Sequence, residues 1–113
     1  MKRGEIWTVA GGGDYAGKPR PVLILQDDRF DGLSSVTVCP FTTDPTDLPL
    51  FRVAIKPGDG NGLRVVSRLM VDKITTVPKA RIGTYVGRLA AEDVVRLNRA
   101  ALVFLGIAGI GDR

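Results

Sequence analysis

Apolar positions along this chain come in short runs bounded by glycine, proline, asparagine and aspartate, the pattern of strands joined by turns. Glu5 to Val9 alternates around Trp7 and predicts a strand, after which Gly11 to Gly17 interrupts regular structure and predicts a loop. Pro21 to Gln26 (PVLILQ) is continuously apolar but too short for a helix, so it predicts a strand covered on both faces. Val36 to Thr42 (VTVCPFT) predicts another, in which Pro40 points to an edge or a bulge. Phe51 to Lys56 alternates, with Phe51, Val53 and Ile55 on one face and Arg52, Ala54 and Lys56 on the other. Turn formers from Lys56 to Gly62 then predict a hairpin into strand-like sequence at Arg64 to Met70, with further extended segments at Lys73 to Val77 and Arg81 to Leu89.

From Ala91 to about Leu105 the period lengthens: Val94, Leu97, Ala101 and Leu105 recur at helical spacing with Glu92, Arg96 and Arg99 opposite, which predicts one amphipathic helix. Glu92 and Asp93 fall in its first turn, where the helix dipole favours them, and Gly106 stands where a cap belongs. Val95, Leu102 and Phe104 widen the apolar arc, so the helix is either generously buried or meets a partner subunit. Gly109 to Arg113 is expected to fray. Together these elements predict a mainly β fold with α, a single domain over residues 1–113. It is expected to be a small, strongly bent antiparallel sheet, closed or nearly closed, with the helix on its outside.

Composition narrows the chemistry. Hydrophobic residues make up 44% and charged residues 25%, as in packed soluble domains. No apolar run approaches the roughly 18 residues that span a bilayer, and Met1-Lys2-Arg3-Gly4-Glu5 does not open a signal segment, so a cytoplasmic protein with no membrane association is expected. Cys39 stands alone and histidine is absent, which removes disulfide frameworks, paired-thiolate zinc sites and imidazole acid–base schemes; neither a metal nor a cofactor is expected. The net charge of +4 and a pI near 9.6 suit a polyanionic partner. Gly11-Gly12-Gly13 and Gly58, Gly60 and Gly62 do not form a phosphate loop, because neither set joins a strand to a helix start at the required spacing.

The order of motifs adds what composition does not. RGEIW opens the chain, a loop ends in KPRPVLILQ, VCPFT follows, and SRLMVDKITTV leads toward the final strand and helix. In this order the chain resembles the MazF/PemK (Kid-like) toxin family of type II toxin–antitoxin systems over nearly its whole length. That resemblance implies an SH3-like antiparallel barrel of the CcdB/PemK type with a C-terminal helix, a homodimer, a cognate antitoxin partner, and cleavage of single-stranded RNA to a 2′,3′-cyclic phosphate and a 5′-hydroxyl. By motif it implies that Arg20 and Thr42 are catalytic, and that Glu5 and Ser67 belong to the RNA-binding surface. Asp72 matches an aspartate that acts in some members, whereas Arg68 falls out of register with the arginine that accompanies it there.

The chemistry fits residues of these types. RNA cleaves itself when its 2′-hydroxyl attacks the adjacent phosphorus, so an enzyme must align that attack and stabilise charge on the phosphoryl oxygens. The Arg20 guanidinium offers a planar fork for two phosphate oxygens and is a poor base at neutral pH. Thr42 can donate to the phosphate or hold the 2′-hydroxyl in line. Glu5 and Asp72 are the acidic candidates for a general base, and either needs a pKa raised by burial. Lys18 and Arg68 can track the RNA backbone, and Trp7 and Tyr85 can stack on bases or pack the core. Two other readings of the same fold are a CcdB-like gyrase inhibitor, against which KPRPVLIL and VCPFT argue, and a non-catalytic RNA- or protein-binding module.

Overall fold

The computed structural model describes residues 1–10 and 18–108; the expected loop at Gly11 to Gly17 and the C-terminal Gly109 to Arg113 lie outside the described residues. Its elements are β1 (Glu5–Val9), β2 (Arg20–Ile24), β3 (Ser35–Thr42), β4 (Arg52–Ile55), β5 (Ser67–Met70), β6 (Thr75–Pro78), β7 (Ile82–Arg88) and α1 (Ala91–Phe104), with single 3-10 turns between several of them. The strands form one antiparallel sheet in the order β4-β5-β3-β2-β1-β7, with β6 also paired to β3.

The sheet bends at β3. On one side β3 pairs with β2; on the other it pairs with β6 through Ser35 to Val38 and with β5 at Phe41 and Thr42. Pro40 sits in the gap between those last two partners, where its missing N–H breaks neither ladder. That resolves the edge-or-bulge expectation: Pro40 lies inside the sheet, at the point where one strand changes neighbours.

Because side chains alternate across a strand, the bend produces two apolar clusters. Ile6, Leu23, Cys39, Phe41, Val53, Ile55, Leu69 and Leu97 form the larger one beneath α1; Val9, Val22, Ile24, Val36 and Val38 form the second, with Trp7 packed against it. Val22, Leu23 and Ile24 are all buried, so β2 is covered on both faces as its continuous apolar run predicts.

Two expected strands are shorter than their sequence suggested. Arg64, Val65 and Val66 are exposed and precede β5 rather than belonging to it. Val71 to Lys73 makes a 3-10 turn that carries the chain away from β5, so that β6 pairs with the first half of β3. The turn between β4 and β5 is held by buried Asn61, whose Oδ1 accepts from the Gly58 and Leu63 amides and whose Nδ2 donates to the Lys56 carbonyl.

The helix closes with its expected glycine. Gly106 has φ +73, its amide donates to the Val103 carbonyl, and the Ile107 amide donates to the Leu102 carbonyl at 2.9 Å, a Schellman arrangement that L side chains rarely permit. Only Leu97 of α1 is fully buried, while Val95, Leu102 and Phe104 are exposed, so generous burial within one chain does not account for the wide apolar arc.

Candidate active site

Arg20 opens β2 and Thr42 ends β3. The β2–β3 ladder runs Ile24 to Val38, Leu23 to Cys39 and Val22 to Pro40; continuing that register by two residues sets Arg20 across from Thr42, on the same face. Both line one cavity of about 240 Å³, together with Pro21, Pro40, Phe41, Thr43, Ser67 and Met70. Residues 22 positions apart in the chain thus meet because antiparallel pairing folds one strand back on the other. The two prolines hold the backbone φ on both sides of the cavity, and Phe41 is anchored in the larger core.

Hydrogen bonding sets what each hydroxyl can do. Thr42 Oγ1 accepts the Asp44 amide at 3.1 Å, which leaves its own proton free to donate into the cavity. Asp44 is itself tied down: its Oδ1 accepts both the amide and the hydroxyl of Thr46, which together hold its carboxyl below the usual carboxylate range. Ser67 is buried and donates to the Val65 carbonyl at 3.1 Å, so it presents oxygen lone pairs rather than a proton. Arg20 is exposed at the cavity mouth, and Lys18, two residues before it, is exposed as well.

The cavity therefore gathers Arg20, Thr42 and Ser67, and leaves Glu5, Lys18, Arg68 and Asp72 outside its lining. Glu5 stands at the opposite end of β1 from Val9, the residue that pairs with Arg20, which separates them by about 14 Å along the strand. Its carboxylate accepts the Lys2 amide at 2.7 Å and the Trp7 indole at 3.1 Å, and faces Arg88. Burial alone would raise its pKa, but these donors and charges together hold it below the ordinary value. Asp72 takes a two-pronged bond from Arg52, at 2.8 and 3.0 Å, and that bond holds its carboxyl low despite burial. The raised pKa that a neutral-pH base requires is thus reversed at both candidates, because each is built as the acceptor of a cation or of N–H donors.

Arg52 was not singled out by sequence. Alternation along Phe51 to Lys56 put it on the outer face, but only the β4–β5 register, with Arg52 opposite Met70, brings it within reach of Asp72. Arg68 is the cross-strand partner of Thr42 and borders a separate groove with Ala54 and Arg96. Trp7 packs edge-on against Tyr85 with centroids 5.6 Å apart and lies against the second core, while Tyr85 is half exposed. Cys39 is buried, and desolvation pushes its thiol up to about 12, which makes it an inert core residue.

Comparison with known proteins shows the family and the fold. Residues 2–105 match the model of a family described as the PemK-like, MazF-like toxin of type II toxin–antitoxin systems. A probable endoribonuclease MazF from Mycolicibacterium smegmatis is 62% identical over 109 residues, covering 96% of this chain and all of the relative. Endoribonuclease MazF9 of Mycobacterium tuberculosis is 27% identical over 95% of this chain and 98% of its own. Among solved structures, a mycobacterial endoribonuclease in complex with its cognate antitoxin superposes with a TM-score of 0.78 at 25% identity, covering 95% of this chain and 96% of that one. The Mycobacterium tuberculosis toxin MazF-mt6 gives 0.75 at 29% identity, over 89% and 95% respectively.

Proposed function

The chain belongs to the PemK-like, MazF-like toxin family of type II toxin–antitoxin systems, and from that premise we propose that it is the toxin of such a pair, a sequence-selective endoribonuclease acting on single-stranded RNA. The observation that carries this reading is the cavity shared by Arg20, Thr42 and Ser67. A guanidinium and a free hydroxyl proton facing one small space suit a phosphodiester: the planar fork binds two phosphoryl oxygens, and the hydroxyl donates to a third or steers the ribose.

In this mechanism the substrate's own 2′-hydroxyl is the nucleophile, so no metal is needed to generate one. It attacks phosphorus, the bond to the 5′-oxygen of the next nucleotide breaks, and the products carry a 2′,3′-cyclic phosphate and a 5′-hydroxyl. Arg20 stabilises the charge that grows on the phosphoryl oxygens, which is the step where a fixed positive charge lowers the barrier most. Thr42, held by the Asp44 amide, aligns the reacting groups. Glu5 and Asp72 support the surface instead: their carboxylates stay ionised and weakly basic.

The partners follow. The relative solved with its cognate antitoxin supports an antitoxin for this chain too. The exposed Val95 and Leu102 of α1, with Leu105 at its C-terminal cap, support a homodimer. Among the described residues no helix is long and apolar enough to cross a membrane, which agrees with action on RNA in the cytoplasm.

The test is to incubate the protein with defined single-stranded RNA in excess chelator and analyse the new ends. Cleavage leaving cyclic-phosphate and 5′-hydroxyl ends is expected. Intact RNA with inhibited gyrase would favour a CcdB-like inhibitor, and binding without cleavage would favour a non-catalytic module.

A further inference from the structure

Beyond the cavity, the register continues in a line across the sheet. Thr42 of β3 is the cross-strand partner of Arg68 in β5, and Arg68 is the partner of Ala54 in β4. Arg96 of α1 reaches over the free edge of β4 and donates to the Ala54 carbonyl at 2.9 Å, while the same nitrogen bonds Asp93. Arg99 follows one turn later. From Thr42, which lines the cavity, the row passes to Arg68, Ala54, Arg96 and Arg99, and these four border a separate groove of about 440 Å³. Ala54, the small residue in the middle, keeps the groove open between the guanidinium on its left and those on its right.

The charge in this groove is not balanced. Arg52 is neutralised by Asp72 and Arg96 shares Asp93, but among the described residues Arg68 and Arg99 make no ion pair. Among the described residues Asp47 is the one carboxylate in the lining, and Leu50 and Val103 give it exposed apolar surface.

We propose that this row is a second RNA subsite, in which Arg68, Arg96 and Arg99 grip the backbone flanking the cleaved bond while ribose and base faces lie over Leu50 and Val103. The proposal rests on the reading of the chain as an endoribonuclease. An acidic peptide could meet the same charges, but the row begins at Thr42, and Ala54 lies only two strand spacings from it, about 10 Å. A strand held at the cavity passes over these guanidiniums as it leaves. Planar guanidiniums match phosphate oxygens in pairs, which is the geometry a backbone presents repeatedly.

The experiment compares the wild-type protein with Arg99→Ala and with Arg96→Ala/Arg99→Ala, because Arg99 is exposed and makes no side-chain bond among the described residues while Arg96 does. Binding is read by fluorescence anisotropy on uncleavable 2′-O-methyl RNA of ~4 and ~16 nucleotides, and cleavage on the matching unmodified RNAs. For the long RNA, each arginine removed is expected to weaken binding about tenfold and to reduce the slope of log affinity against log salt by about 0.7. The KM for cleavage should rise in parallel with kcat unchanged, and the short RNA should bind and react as before.

Wild-type affinity for the long RNA in both variants would overturn the subsite and leave the nuclease reading standing. So would unchanged RNA binding accompanied by loss of poly-glutamate binding, which would make the groove a protein-docking surface. No cleavage of either RNA by the wild-type protein would fell the nuclease reading itself, while the binding arm still decides whether the row holds RNA.

Discussion

Residue by residue, the ionisable groups divide into those that are paired, such as Arg52 with Asp72, and those that make no ion pair among the described residues, such as Arg68 and Arg99. The Arg52–Asp72 fork is mostly buried, with side chains 12% and 23% exposed. Removing one partner leaves the other desolvated, so Asp72→Asn is expected to destabilise the fold by about 1–3 kcal/mol in urea unfolding. The pH dependence has a definite sign. The folded pKa of Asp72 lies below its ordinary 3.8, so the pair's contribution is complete above that value and drains away as the pH falls through the folded pKa. Wild-type stability should therefore fall more steeply below about pH 4 than that of Asp72→Asn. Equal slopes would show that Asp72 titrates alike in both states. Sequence alone could name Asp72 as a candidate acid, but not this role: a carboxylate's pKa depends on which cation the sheet brings to it, and Arg52 lies 20 positions away.

At the scale of elements, what was legible followed from periodicity and what was not followed from pairing. Five-residue β1, the buried β2 and the amphipathic α1 with its glycine cap are all readable from apolar spacing, because local alternation dictates which face packs. The shortening of β5, the departure of β6 to β3 and the place of Pro40 depend on which strands become neighbours, and no local pattern records that. The cavity was half legible: motif order joined Arg20 to Thr42, while Ser67 joins them only because β5 crosses beside β3. The turn at Asn61 illustrates a constraint between elements. A Cβ on Gly87 of β7 would stand 2.4 Å from the Asn61 carbonyl carbon, so the turn packs on β7 only where a side chain is missing. Gly87→Ala is expected to cost about 1–3 kcal/mol, read as a lower urea midpoint with unchanged m-value. An unaltered midpoint would mean that the turn moves aside freely.

For the whole molecule, the exposed apolar face of α1 adjoins the basic row, which ends on the same helix at Arg96 and Arg99. Val95 and Leu102, 47% and 41% exposed and one heptad apart, share a helix face with Arg99, four residues after Val95 and three before Leu102. Sedimentation velocity should report a dimer for the wild-type chain and a shift toward monomer for Leu102→Glu. A monomeric wild-type protein would leave that face without its proposed partner. The claim on which the rest depends is that Arg20 and Thr42 act together on one phosphodiester, and a double-mutant cycle in kcat/KM for RNA cleavage tests it most directly. Arg20→Ala and Thr42→Ala should each lower the rate by at least about a hundredfold, and the double variant should fall short of the product of the two losses because the residues work as a unit. Near-normal rates in either single variant, or losses that simply multiply, would contradict it.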